Sequence, residues 1–136
     1  MNIDPGNPDW EKRDRFIFSK GHAGIALYVV LSDLGFFSKE ELKNFNQGGS
    51  FLAEHPDPSC PGIEVVSGSL GHALNICAGM ALAAKLDKKD YASIAILGDG
   101  ECYEGTVWEA AMFASHHRLN NLIAIIDRNQ LAILDK

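Results

Sequence analysis

Two short segments concentrate oxygen donors at points where a folded chain could use them: Gly98-Asp99-Gly100 and Asp127-Arg128-Asn129-Gln130. Each directly follows an apolar run, Ser93-Ile94-Ala95-Ile96-Leu97 in one case and Leu122-Ile123-Ala124-Ile125-Ile126 in the other. Asp99 offers a hard anionic oxygen, Asn129 a neutral amide oxygen, and the carbonyl of a residue just beyond Asn129 a third. Donors of this kind suit Mg²⁺, with Ca²⁺ as a substitute. An Mg²⁺ ion held by few protein groups completes its octahedron with water or phosphate oxygens, so the pattern implies a bound polyphosphate. Gly98 and Gly100 let a phosphate approach the backbone, and a helix opening near Glu104 adds unpaired N–H groups. A plain turn at Gly98–Gly100 and an Asx-type cap at Asn129 would use the same residues without any ligand.

The elements that must position these corners follow from hydrophobic patterning. The two apolar runs read as strands covered on both faces, and Glu104 to His116 between them reads as a helix with Val107, Ala110, Ala111 and Ala114 on one stripe. Strand, helix and strand make a βαβ unit with parallel strands, whose ligand crevice lies beyond their carboxyl ends. Both polar segments should therefore face the same crevice. Upstream, His22 to Leu34 reads as a mostly buried helix stopped by Gly35, and Ser38-Lys39-Glu40-Glu41 resembles a capping box opening a short helix to about Phe45. Gly48 to Gly68, with Pro56, Pro58 and Pro61, reads as a long extended connection, and Leu70 to Leu86 as a buried helix rich in small residues. Trp108 and Phe113 are expected in the core. His116 and His117, being adjacent on a helix, diverge and should not form a paired metal site. The class is α/β.

A chain of 136 residues makes one domain at most. With 46% hydrophobic and 22% charged residues, it has the balance of a globular domain rather than of a disordered or collagenous chain. A net charge of -6 disfavours nucleic acid and anionic membrane surfaces as partners. No apolar run approaches the ~20 residues that a membrane span needs, and Met1 to Arg15 has no apolar core of a secretory signal. Cys60, Cys77 and Cys102 are far apart with no C-x-x-C pair, which suggests neither a disulfide framework nor a closed zinc site. A cytoplasmic location is the expectation.

Taken together the motifs are narrower than any of them singly. Gly98-Asp99-Gly100, then Glu104-Gly105, then a strand ending in Asp127-Arg128-Asn129 resembles the thiamine diphosphate fingerprint, with Asn129 lying 30 positions after Asp99. Ser19-Lys20-Gly21-His22-Ala23, Glu54-His55-Pro56, Pro61-Gly62-Ile63-Glu64 and Gly68-Ser69-Leu70-Gly71-His72 stand in the order seen in transketolases. The sequence is similar to that family over nearly its whole length. Glu54 stands where the family more often has Gly, and Gly71-His72-Ala73 where Gly-His-Gly or Gly-Gln-Gly is commoner.

The resemblance implies that residues 1–136 form part of a thiamine diphosphate-binding domain, with parallel strands flanked by helices. It implies that Asp99, Asn129 and the backbone carbonyl of Leu131 bind Mg²⁺, that Gly100 and Asn129 help hold the diphosphate, and that Gly68 and Leu70 contact the cofactor. His22 and His55 would line the channel around the thiazolium and the sugar, and Glu104 would join an acidic network at a subunit interface near the neighbouring active site. The reaction implied is transfer of a two-carbon ketol unit from a ketose or its phosphate to an aldose or its phosphate.

The family builds its active site between this module and a pyrimidine-binding module, so the resemblance implies a pyrimidine-binding and C-terminal partner subunit in a homo- or hetero-oligomer. The chain alone is expected not to catalyse. It resembles either a truncated piece of a split N-terminal subunit or a fragment of a longer protein. Alternatives are a deoxyxylulose-phosphate synthase-like enzyme, which would condense pyruvate with glyceraldehyde phosphate, and a non-catalytic interaction subunit, which would lack Mg²⁺-dependent cofactor binding.

Overall fold

In the computed structural model, which describes residues 1–130, three parallel strands form one sheet in the order β1-β2-β3: β1 Arg15–Phe18, β2 Ser93–Gly98 and β3 Leu122–Asp127. The helices are α1 Gly24–Leu34, α2 Ala73–Leu86 and α3 Gly105–His116, with 3-10 turns at Gly21–Ala23, Lys39–Asn44 and Gly100–Tyr103. The β2–α3–β3 unit is the one expected from patterning, and its strands are parallel. β2 is central and almost wholly buried, which is why its sequence is continuously apolar rather than alternating. The class is α/β, as the sequence indicates.

β1 is an addition to that expectation. Its four residues pair with β2 from Arg15 opposite Ser93 to Phe18 opposite Ile96. Side chains alternate across a strand, and the two faces of β1 serve two separate cores. Ile17 packs with Leu74, Cys77, Ala95, Leu97, Val107 and Ala110, beneath α2 and α3. Phe16 and Phe18 pack instead against Leu27, Tyr28, Leu31, Phe36, Leu52 and Cys60, beneath α1 and the long connection. Buried Asp14 holds the strand's start, accepting from the Asn2 N–H at 2.6 Å and the Ala92 N–H at 2.9 Å.

α1 stops where the sequence predicts, through a Schellman closure. Gly35 takes φ +92°, its N–H donates to the Ser32 carbonyl, and the Phe36 N–H donates to the Leu31 carbonyl at 3.0 Å. Phe36 then packs with Leu31. The helix is less buried than expected: Leu27, Tyr28, Leu31 and Ser32 lie inside, whereas Ile25, Val29, Val30 and Leu34 are exposed. Only one stripe finds cover among the described residues.

The expected short helix after Ser38 is a 3-10 segment. Ser38 Oγ accepts from the Glu40 N–H at 3.3 Å, but Glu41, instead of closing a capping box, accepts from Asn44. The 45–72 connection is pinned rather than loose: Tyr28 Oη donates to the Ala53 carbonyl at 2.9 Å, the Ser67 N–H donates to the Pro56 carbonyl at 3.0 Å, and Leu52, Pro56 and Cys60 are buried. α2 begins at Ala73, and its buried Ala73, Cys77, Ala78, Ala81 and Ala84 allow close approach to the sheet and α3.

Two further expectations are corrected. Among the described residues β3 is not covered on both faces, since Ile123, Ile125 and Ile126 are about half exposed and β3 pairs on one edge only. Trp108 and Phe113 are not core residues: both are exposed on α3, Trp108 donating to the Cys102 carbonyl at 2.8 Å and Phe113 packing on His117. Among the described residues no helix is long and apolar enough to cross a membrane.

The packing generates two tests. Leu52 is 0% exposed, so Leu52→Ala should cost about 2–5 kcal/mol, read as a lower urea midpoint. The Cys60 and Cys77 thiols are each pushed up to about 12 from 9.0, mainly by burial, with Asp57 adding at Cys60 and Glu64 at Cys77. The folded state favours the neutral thiol, so this stabilisation is complete below an unfolded-state value near 9 and is lost as pH rises from there toward 12. Alkylation of either cysteine at about pH 8 should therefore track unfolding in urea; rapid labelling of the native protein would contradict it.

Candidate functional site

The register that sets Gly98 opposite Asp127 brings the two polar segments side by side at the carboxyl ends of β2 and β3. The Asp99 N–H donates to the Asp127 carbonyl at 3.2 Å. The Asp99 carboxylate then accepts twice from backbone, from the Gly100 N–H at 3.0 Å through Oδ1 and from the Gln130 N–H at 2.7 Å through Oδ2. The Gln130 bond carries Asp99 across to the turn that bears Asn129, and Gln130 takes φ +60° to make it. Asp99, Gly100 and Asn129 are thus brought to one corner. Leu131 lies outside the described residues.

β1 ends at the same corner. Lys20, just past its end, forms an ion pair with Asp127. The preceding Ser19 is buried, and its hydroxyl donates to Glu101 Oε1. Glu101 is 2% exposed and also accepts the Gly71 N–H at 2.7 Å and, through Oε2, the Gly98 N–H at 3.3 Å. One carboxylate therefore touches the end of β1, the end of β2 and the Gly68–Gly71 loop.

That loop leads to the histidines. A Cβ on Gly21 would stand 2.6 Å from His55 Cδ2 and 2.7 Å from Gly68 Cα, and one on Gly68 would stand 2.6 Å from His55 Cδ2. Such distances are too short for any real Cβ, and Gly68 moreover takes φ +111°, so only glycine fits at either position. The structure thus stacks the Gly21 turn, His55 and Gly68, with His22 adjoining Gly21. His22 and His55 are both exposed.

Leu70 sits one residue before Gly71, partly exposed, and its carbonyl and Ser69 Oγ both contact His72 Nδ1, so His72 is engaged within its own loop. Glu104 lies at the start of α3 with an exposed side chain whose Cβ and Cγ border Gly71. The sequence-predicted residues fall into an oxygen-rich corner and a histidine–glycine corner.

Of the residues that join these corners, Glu101 stood in none of the sequence motifs, and Ser19, Lys20 and Asp127 stood in them without a role of their own. The available signal was a charged residue, Glu101, directly after Gly-Asp-Gly and before the apolar face of α3. Burial first, then the Glu101 and Asp99 charges, raise the Cys102 thiol, which disfavours its thiolate.

The donor chemistry fits a hard cation and a polyphosphate in part. Asp99 keeps one further lone pair on each oxygen beyond its two backbone bonds. Among the described residues no group of three or more His, Cys, Asp or Glu side chains could hold a metal ion. A cation here would take a carboxylate, an amide and main-chain oxygen, and need non-protein oxygens for the rest.

Comparison with known proteins identifies the family. Residues 1–135 match the family model described as transketolase, thiamine diphosphate binding domain. The chain is 50% identical over 133 residues to one of the subunits of the apulose-4-phosphate transketolase of Phocaeicola vulgatus, covering 98% of this chain and 47% of that one. It is 46% identical over 134 residues to the 6-deoxy-6-sulfo-D-fructose transketolase subunit SqwG of a Clostridium species, covering 98% and 49%. A transketolase variant from Pichia stipitis superposes with a TM-score of 0.92 at 38% identity, over 98% of this chain and 21% of that one. The chain spans about half the length of the two transketolase subunits it matches. With residues 1–135 matching its family model and half of its residues identical to one subunit, the chain belongs to the transketolase family through its thiamine diphosphate-binding domain.

Proposed function

We propose that this chain forms part of the diphosphate-binding domain of a thiamine diphosphate- and Mg²⁺-dependent transketolase that moves a two-carbon ketol unit from a ketose or its phosphate to an aldose or its phosphate. The observation that carries the reading is the Asp99 carboxylate, at the end of β2, bonded across to the turn after β3 that presents Asn129. Asp99 and Asn129, with the carbonyl of Leu131, would hold Mg²⁺. Gly100, with no side chain, would let the diphosphate lie against the backbone beside Asn129.

The bound cofactor supplies a carbon that accepts the electron pair left when the ketose C–C bond breaks. Everything else falls to the protein. His55, fixed over Gly21 and Gly68, would orient sugar hydroxyls, and His22, next to Gly21 in the chain, would take and return their protons. Gly68 and Leu70 would border the cofactor, His22 also contacting it, and Glu104 would face a neighbouring protomer.

Two relatives are named as subunits of their enzymes, which supports a separate partner that supplies the pyrimidine-binding and C-terminal modules in a homo- or hetero-oligomer. The three free cysteines suit a reducing cytoplasm.

Two substitutions test this in the protein assembled with its partner. Asp99→Ala removes the anionic ligand, and Mg²⁺-dependent cofactor affinity should fall about 100-fold; unchanged affinity would sink the metal assignment. His22→Ala should lower kcat for ketol transfer by about 10²–10⁴-fold while cofactor Kd changes by less than about tenfold. Equal loss of both would make His22 a structural residue.

A further inference from the structure

We infer that Glu101 is a positioning residue that locks three cofactor-bordering segments into one arrangement. The inference rests on the reading of this chain as the diphosphate-binding part of a transketolase. Glu101 touches none of the reacting groups; it is 2% exposed, beneath them. Its two oxygens take three neutral donors from three separate stretches of chain: the Ser19 hydroxyl and the Gly71 N–H on Oε1, and the Gly98 N–H on Oε2.

Each stretch leads directly into the site. Ser19 is three residues before His22, Gly71 closes the loop holding Gly68 and Leu70, and Gly98 immediately precedes Asp99. The pair of segments fixed through Oε1 is also the pair that meets at Gly21 and Gly68, where His55 leaves no room for a Cβ. A small shift of the Gly71 loop relative to Ser19 would thus collide with His55 or release it.

A carboxylate suits this task for a reason of hydrogen-bond capacity. All three partners are donors, so the central group must accept on both of its heads, and only an ionised carboxylate does so. A glutamine has one accepting oxygen. If that oxygen keeps Ser19 and Gly71, the amide NH₂ faces the Gly98 N–H, donor against donor, in a part-buried place. The loss therefore falls on the β2 end that carries Asp99, with little change in volume.

The test is Glu101→Gln in the protein assembled with its partner, read by equilibrium binding of thiamine diphosphate with Mg²⁺, by kcat at saturating cofactor, and by thermal midpoint. Kd for the cofactor should rise about tenfold or more, while kcat at saturation stays within about twofold of the parent, because a bound cofactor restores the arrangement. Ser19→Ala, which deletes one donor without creating a clash, should raise Kd by about threefold and lower the thermal midpoint by less than Glu101→Gln does.

An unchanged Kd in Glu101→Gln overturns the inference, as does a kcat that fails to recover at saturation. If Glu101→Gln does not fold, Ser19→Ala decides: the expected weakening upholds the role, and an unaltered Kd removes it. A parent protein that binds no thiamine diphosphate would instead refute the underlying reading.

Discussion

The parallel pairing of β2 with β3, Gly98 opposite Asp127, is the constraint on which the rest of the site depends. A slip by one residue would turn every side chain of β3 to the opposite face and separate Asp99 from the turn it bonds. The pairing is held by six matched positions along strands that are apolar enough to be driven together and short enough to end together. Asp99 then closes the open end, where the ladder can no longer hold the two chains side by side. Both of the hydrogen bonds that secure the fold at this point end on one carboxylate, and each of its oxygens keeps a further lone pair.

Three carboxylates, those of Asp99, Glu101 and Asp127, crowd the strand ends, and the structure gives each a different means of satisfaction. Asp99 takes backbone N–H groups, Glu101 takes neutral donors in the interior, and Asp127 takes Lys20. Asp127 is half exposed, so its ion pair contributes little to stability. Its effect is geometric, tying the end of β1 to the far strand across β2.

Much of this was legible in the chain itself. β2 and β3 announced themselves as apolar runs bounded by polar corners, and Gly35 marked the end of α1 because its left-handed conformation favours glycine. The residues brought to the two corners were legible as motifs. β1 was not: four residues reading Arg-Phe-Ile-Phe feed two different cores, so they show neither the clean alternation of a half-buried strand nor the length of a covered one. The 3-10 segment after Ser38 resembles a helix start because the cap is real while the turns behind it are too tight to continue. Glu101 escaped because its role lies in segments far from it in sequence, and no spacing rule reports such a meeting.

The two buried cysteines lie on opposite sides of the sheet. Cys77 packs in the cluster under α2 and α3, and Cys60 in the cluster under α1 and the long connection. The molecule therefore carries a built-in reporter in each of its layers. If the layer with α1 opens on its own, exchange at Cys60 outpaces that at Cys77; if the sheet and both layers open as one cooperative unit, the two rates coincide. The ratio of the two measures how tightly the layer that holds His22 and His55 is coupled to the layer behind the oxygen-rich corner.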